Sequence, residues 1–242
     1  MTESHIFGKS QLVNQGEGPG DQTRDGCSVA LYTRLPVDNE PEIISTYLPR
    51  GSSILEMGCG VGRVTHPLIR LGYAVTAVDN SKEMLAHILG AETILADIET
   101  LRLSARFDGV LMGSHLINVP NPDLRADFLS SCAHHLAGEG VLFLQCHDPA
   151  SFQQIEVGFL GERDGLKAYC DRAIWDGDTA EMTLRWEIGE DHWTQSFQTE
   201  MLSQDQIGQA LAKSGLVVKE FIDSHWMLAA KSPKKNETLY FL

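Results

Sequence analysis

Positive charge is scarce in this chain, cysteines are unpaired, and no long apolar run occurs; each shortage excludes a class of protein. Lys and Arg number 19 against 33 Asp and Glu, a formal charge of −14. A nucleic-acid or anionic-membrane partner needs a basic face, so neither is expected. The basic cluster from Lys231 to Lys235 reads as a solvated tail. The five cysteines, Cys27, Cys59, Cys132, Cys146 and Cys170, contain no Cys-x-x-Cys pair and leave an odd number. That spacing argues against a zinc site or a disulfide framework and for reduced thiols in a cytosol. No stretch has the length of a membrane span and none reads as a secretory leader, so a cytoplasmic protein is expected. There is no internal repeat.

What is present suits one α/β domain. A chain of 242 residues with 43% apolar and 21% charged content can bury roughly 70% of its unfolded surface. Residues 1–50 read as an N-terminal helical lid segment. Its first part, Met1 to Asp25, is polar and glycine-rich and is expected to be mobile without a ligand; Val29–Tyr32 and Pro41–Leu48 read as short helices. Short apolar strands then alternate with helical patterns: Ser53–Met57, Ala74–Val78, Thr93–Ala96, Phe107–Met112 and Val141–Leu144. Strands separated by helices predict a parallel, doubly wound sheet. Ser81 and Asn121 read as helix caps, the latter followed by Pro at the first helical position. His134 and His135, on that second helix, read as surface residues.

The later chain changes period. Met182 to Ile188 and Trp193 to Met201 alternate in hydropathy around Gly189-Glu190-Asp191, which predicts an antiparallel hairpin. Leu216–Phe221 and Trp226–Ala230 read as closing strands after a helix begun by Ser203 and Gln206. Residues 149–178 show no clear period and read as an inserted lid within a domain spanning 51–232. Residues 233–242 read as a tail, and its last six resemble a protease-site remnant of recombinant expression.

The most informative run is Ser53-Ile54-Leu55-Glu56-Met57-Gly58-Cys59-Gly60-Val61-Gly62. An apolar strand ends in a carboxylate and enters a Gly-x-Gly-x-Gly turn, where glycine permits a sharp bend and close ligand approach. The dinucleotide spacing Gly-x-Gly-x-x-Gly is absent, which weighs against a dehydrogenase. A carboxylate there suits an ammonium and would repel a pyrophosphate. Ala77-Val78-Asp79, Ala96-Asp97-Ile98 and Phe107–Met112 running into Gly113-Ser114-His115 end three further strands. With these four elements the chain resembles the class I S-adenosylmethionine (SAM)-dependent methyltransferases that act on small molecules, well over Leu48 to Asp148 and elsewhere by topology alone.

The resemblance implies an α/β, Rossmann-like, doubly wound and mostly parallel seven-stranded sheet with a C-terminal antiparallel hairpin. It implies SAM as cofactor, yielding S-adenosylhomocysteine (SAH), and sites for it at Glu56, Gly58, Cys59, Gly60, Gly62, Arg63, Asp79, Asn80, Met84, Asp97, Ile98 and Ser114. Glu56 would lie near the amino group, Asp79 would accept from the ribose hydroxyls, and Asp97 and Ile98 would meet the adenine. Local readings stand beside these: Asp79 as a turn and cap, Asp97 as a loop carboxylate, Met84 as core.

Catalysis needs an in-line nucleophile and at most a base. His115 is the candidate base, because histidine titrates near neutrality, although a histidine there can equally cap backbone. His147 and Tyr32 are further catalytic candidates; Asn118, Asp148 and Trp193 are substrate candidates. No metal is expected, since no carboxylate cluster follows the fourth strand. A small-molecule partner is expected, with the chain a monomer or homodimer. The alternatives are a cyclase or lyase that consumes SAM without an acceptor and releases methylthioadenosine, and a protein that binds SAM without transfer.

Overall fold

The computed structural model describes residues 14–233; the expectations for the first residues and for the terminal tail fall outside them. The elements in order are β1 (Gln15–Glu17), α1 (Val29–Tyr32), α2 (Glu40–Tyr47), β2 (Ser53–Met57), α3 (Thr65–Arg70), β3 (Ala74–Asp79), α4 (Lys82–Leu85) and β4 (Glu92–Leu95). They continue with β5 (Phe107–Met112), α5 (Pro122–His135), β6 (Leu136–Gln145), α6 (Pro149–Phe152), β7 (Gly158–Arg163) and β8 (Leu166–Asp176). The chain closes with β9 (Thr179–Ile188), β10 (Asp191–Glu200), α7 (Gln204–Lys213), β11 (Leu216–Phe221) and β12 (Trp226–Lys231). Single 3₁₀ turns lie at Ile98–Thr100 and Leu116–Asn118.

Seven strands form the main sheet in the order β11-β12-β6-β5-β2-β3-β4. The pairs from β6 to β4 are parallel, and β12 joins β6 antiparallel. Strand alternation divides β2 between two cores. Leu55 and Met57 pack with Val110, Met112 and Leu144 on one face, where α5 and α7 contribute Leu129 and Leu211. Ile54 faces the other core with Ile44, Leu68 and Phe143. Glu56 shares the parity of Ile54, so it points toward α3. The expected caps form: Ser81 accepts from the Met84 N–H, and Asn121 from Asp123 and Leu124.

The expected hairpin β9–β10 forms beside the main sheet, inside a second, five-stranded sheet of order β1-β10-β9-β8-β7. Other expectations change. The segment 149–178 folds as α6, β7 and β8, two strands of that sheet. Its residues hide their period because β7 is an exposed edge and β8 carries a register shift between Cys170 and Arg172. Within the segment expected to be mobile, Gln15–Glu17 form β1, which pairs with β10 from Gln15↔Ser196 to Glu17↔Thr194. His135 is fully buried; its Nε2 accepts from the Leu103 N–H at 2.8 Å and its Nδ1 meets the Ser131 carbonyl.

Candidate active site

The chain order reverses between β2 and β5, the switch point where open α/β sheets hold ligands beyond the strands' carboxyl ends. The glycine loop leaves β2 and folds back on β3, with the N–H groups of Gly58 and Cys59 both donating to the Val78 carbonyl at 2.9 and 3.0 Å. Gly58, Gly60 and Gly62 all take positive φ, +73°, +55° and +87°, a conformation that costs any residue bearing a Cβ. A Cβ on Gly58 would also lie 2.9 Å from Leu116 Cδ1, in the floor of the crevice.

Three strand-end carboxylates surround this loop. Asp79 Oδ2 accepts from the Gly60 N–H at 2.8 Å and Oδ1 from Ser81 at 2.9 Å. The turn-and-cap role therefore exists, and each oxygen keeps a lone pair for a further donor. Burial raises the Asp79 pKa despite those bonds. Asp97 Oδ1 accepts from Asn80 Nδ2 at 3.0 Å and pairs with Arg24 at 2.6 Å, contacts that hold its pKa below the usual carboxylate range. Ile98 is buried in the turn that follows. Met84 is buried against Val29 and Val61, with Cys27 and Tyr32 packed beside it, so it belongs to the contact between α4 and the N-terminal segment.

Glu56 is 4% exposed, and burial pushes its pKa up to about 7. The Thr65 hydroxyl donates to it at 2.6 Å and the nearby Arg63 favours its charge, but neither offsets desolvation. Arg63 Nη2 is 2.7 Å from the buried Glu40 carboxylate, and its Nη1 donates to the Pro36 carbonyl. One guanidinium thus stands between two buried carboxylates, a net negative pocket. Its free space is about 20 Å³, bounded by Glu56, Gly58, Arg63, Gly113 and Ser114, room for about one water. Tyr32 lies over the loop, its Cδ1 3.7 Å from where a Gly60 Cβ would be, and its hydroxyl is 3.2 Å from Cys27 Sγ. Cys59 is buried, and desolvation raises its thiol pKa far above the usual value.

Beyond Ser114 the crevice opens into a cavity of about 920 Å³. Ser114 and His115 are non-glycine residues at φ 52° and 58°, and the Ser114 N–H donates to Gln145 Oε1 at 2.7 Å. This corner turns His115 onto His147, ring centroids 4.1 Å apart and 9° from parallel. His147 also lies 4.1 Å from the Phe152 ring. Burial holds both imidazoles neutral, His115 down to about 4 with added repulsion from His225 and Arg63, and His147 to about 2 with added repulsion from His115 and His225. The pair can accept a hydrogen bond or a proton in passing, and two stacked rings resist both becoming charged.

The candidates therefore separate. His115, His147 and Asp148 line the large cavity, and Asp148 also caps α6 through Ala150 and Ser151. Asn118 is buried with its amide used internally: Nδ2 donates to the Glu200 carbonyl and Oδ1 accepts from the His147 N–H, so it positions His147 from behind. Trp193 lies away from the cavity, 1% exposed beside Leu31 and Leu166, with its indole N–H on the Pro19 carbonyl. Tyr32 stands at the glycine loop and not with the histidines. Arg24, Glu40, Gln145 and His225 belong to the site but come from segments without a motif, and no local pattern flags them. Among the described residues no His, Cys, Asp and Glu group could hold a metal ion, and no helix is long and apolar enough to cross a membrane.

Comparison with known proteins agrees with this geometry. Residues 54–140 match the family model of a methyltransferase domain. The ubiquinone biosynthesis O-methyltransferase of Caulobacter vibrioides is 30% identical over 176 residues, 68% of this chain and 61% of that protein. The chain spans about half to three fifths of the length of the first curated relatives it matches. The CcbJ methyltransferase from Streptomyces caelestis shares the fold at TM-score 0.71 and 18% identity, covering 85% of this chain and 96% of that one. SAM-bound CalS10, an amino pentose methyltransferase from Micromonospora echinaspora, does so at TM-score 0.64 and 18% identity, covering 86% and 93%. The Gly-x-Gly-x-Gly loop behind an acidic strand end, at the switch point of a seven-stranded sheet, thus lies within the segment that matches a methyltransferase domain.

Proposed function

We propose that the protein transfers the methyl group of SAM to a small-molecule acceptor. The observation that carries the reading is the junction of two unlike pockets: a carboxylate-rimmed glycine loop, and an open cavity of about 920 Å³ whose inner wall is the His115–His147 pair. Bound at the loop, SAM supplies a methyl made electrophilic by its sulfonium. Asp79 has the lone pairs to take both ribose hydroxyls while still holding the loop. Glu56 would receive the ammonium and Arg63 the carboxylate of the amino-acid end, with Glu40 keeping Arg63 in place. Asp97, Asn80 and Ile98 would meet the adenine. Ser114 stands between the two pockets, and His115 and His147 would orient the acceptor and carry off a proton.

The narrow space at the loop supports a lid role for the N-terminal segment. Arg24 on Asp97 and Tyr32 on the glycine loop cover the cofactor site, so they must move for exchange. Residues from α6 to β7, among them Phe152 and Arg163, would cover the acceptor. Five free cysteines support a reducing, cytosolic location.

A cavity of this size beside the loop favours an external acceptor over reaction of SAM with itself. Incubation with SAM and candidate acceptors, followed by chromatography, separates the two: transfer yields SAH only when acceptor is present. Methylthioadenosine formed from SAM alone would overturn transfer. Failure of SAH to raise the melting temperature would overturn cofactor binding.

A further inference from the structure

The charge around the acceptor cavity is uneven in a way that methyl transfer as such does not require. Asp38 and Glu42 of the α2 region line the cavity together with Asp148 and Asp223, and beyond the stacked histidines its basic residues are Arg163 and His225. Arg163 is already bound to the Asp38 carboxylate. The imidazoles that form the inner wall add no positive charge, since burial keeps them neutral. The lining also holds an apolar platform: the stacked His115 and His147, with Phe152 tilted on His147, and Trp226. A concave site edged by one sign of charge concentrates ligands of the other sign.

We infer that the acceptor is a cationic amine carrying a flat apolar body, and that the reaction is N-methylation. The inference rests on the methyl-transfer reading and sharpens it. The ammonium is drawn in by the carboxylates of Glu42 and Asp148 while the apolar body lies on the Phe152 and imidazole platform. To react, the amine releases one proton to solvent past the neutral imidazoles. Its lone pair then forms the N–C bond as the S–C bond breaks, the electron pair of that bond staying on sulfur. The N-methylammonium product sheds a proton in turn, and no oxidant or reductant is needed. An oxygen acceptor fits less well, because a phenolate must be anionic to react and would meet the same carboxylates.

A matched ligand series tests this. Calorimetry on the full chain, with and without saturating SAH, compares tryptamine, tryptophol and indole-3-acetate, which share one ring and differ in charge. Tryptamine is expected to bind at least tenfold more tightly than indole-3-acetate, with tryptophol between them. The gap should narrow in high salt, because the rim carboxylates are exposed. The paired substitutions Glu42→Gln and Asp148→Asn, which keep shape and the α6 cap, should weaken tryptamine at least threefold and leave tryptophol unchanged. A flat or reversed series, no binding by any of the three, or a variant with unaltered selectivity would overturn the inference. Absence of SAH binding would overturn the methyl-transfer reading alone, because the series without SAH still reports the cavity's preference.

Discussion

The cofactor loop and the acceptor cavity adjoin, yet they are assembled differently. The carboxylates at the loop, Glu56, Asp79 and Asp97, come from one stretch and stand at or just past the ends of three neighbouring parallel strands, so sheet register fixes their mutual positions. The cavity draws on α2, the loops after β5 and β6, helix α6, strand β7 and the turn before β12. It has a floor from the main sheet and a cover tied to the second sheet. The loop is tight, covered and internally hydrogen-bonded; the cavity is open and edged with charge. On the proposed reading, cofactor binding needs only the first arrangement and acceptor choice the second, which can change without disturbing the sheet.

Four substitutions sharpen that contrast, in order of expected size. Trp193→Ala removes the buried contact that fastens the N-terminal segment to β10, and should cost about 3–5 kcal/mol in denaturant unfolding; a loss under about 1 kcal/mol would mean the two are not coupled there. His115→Ala should lower kcat about a hundredfold while SAH affinity stays within about twofold. A parallel loss of SAH binding would show that the two pockets are not separate. Asp79→Ala should weaken SAH at least tenfold in calorimetry, because one side chain serves both the ligand and the Gly60 N–H. Unchanged affinity would remove the assigned ribose contact.

The fourth concerns pH. Glu56 is about half protonated near pH 7 in the free protein, and an ammonium beside it favours the carboxylate. SAH binding should therefore weaken as pH falls below about 7, by up to about tenfold per unit, and Glu56→Gln should flatten that slope. The histidines act at the other pocket and with the opposite sign. Their depressed pKa values leave them neutral throughout pH 6–8, so kcat should show no histidine titration near 6.5 in that range. Acidification below about 6.5 then erodes stability, because the unfolded histidines take up protons that the folded ones refuse.

How much of this was legible follows the same division. Four strand ends carrying glycine or carboxylate at regular intervals could be read from order alone, and so could the caps at Ser81 and Asn121. Asn118 and Trp193 were legible as polar and aromatic residues near the right elements but not in direction. Asn118 is turned inward by the Glu200 carbonyl, and Trp193 is claimed by Pro19, partners more than 80 residues away in the chain for one and far more for the other. Residues 149–178 hid two strands because an exposed edge and a register shift blur the two-residue period. Arg24, Glu40 and His225 reach the site through tertiary packing, which no local pattern records.

The corner at Ser114 and His115 carries a last consequence. Two successive side-chain-bearing residues at φ 52° and 58° hold backbone strain of order 1 kcal/mol or more each. Replacing Ser114 by Gly would relieve part of it and should raise the melting temperature by about 1–3 °C in calorimetry, while the imidazole, no longer braced, loses its stacked orientation and turnover falls. Heat tolerance and catalytic aim would then be competing demands on a single peptide unit, and a more durable version of the protein would have to gain its stability somewhere other than here.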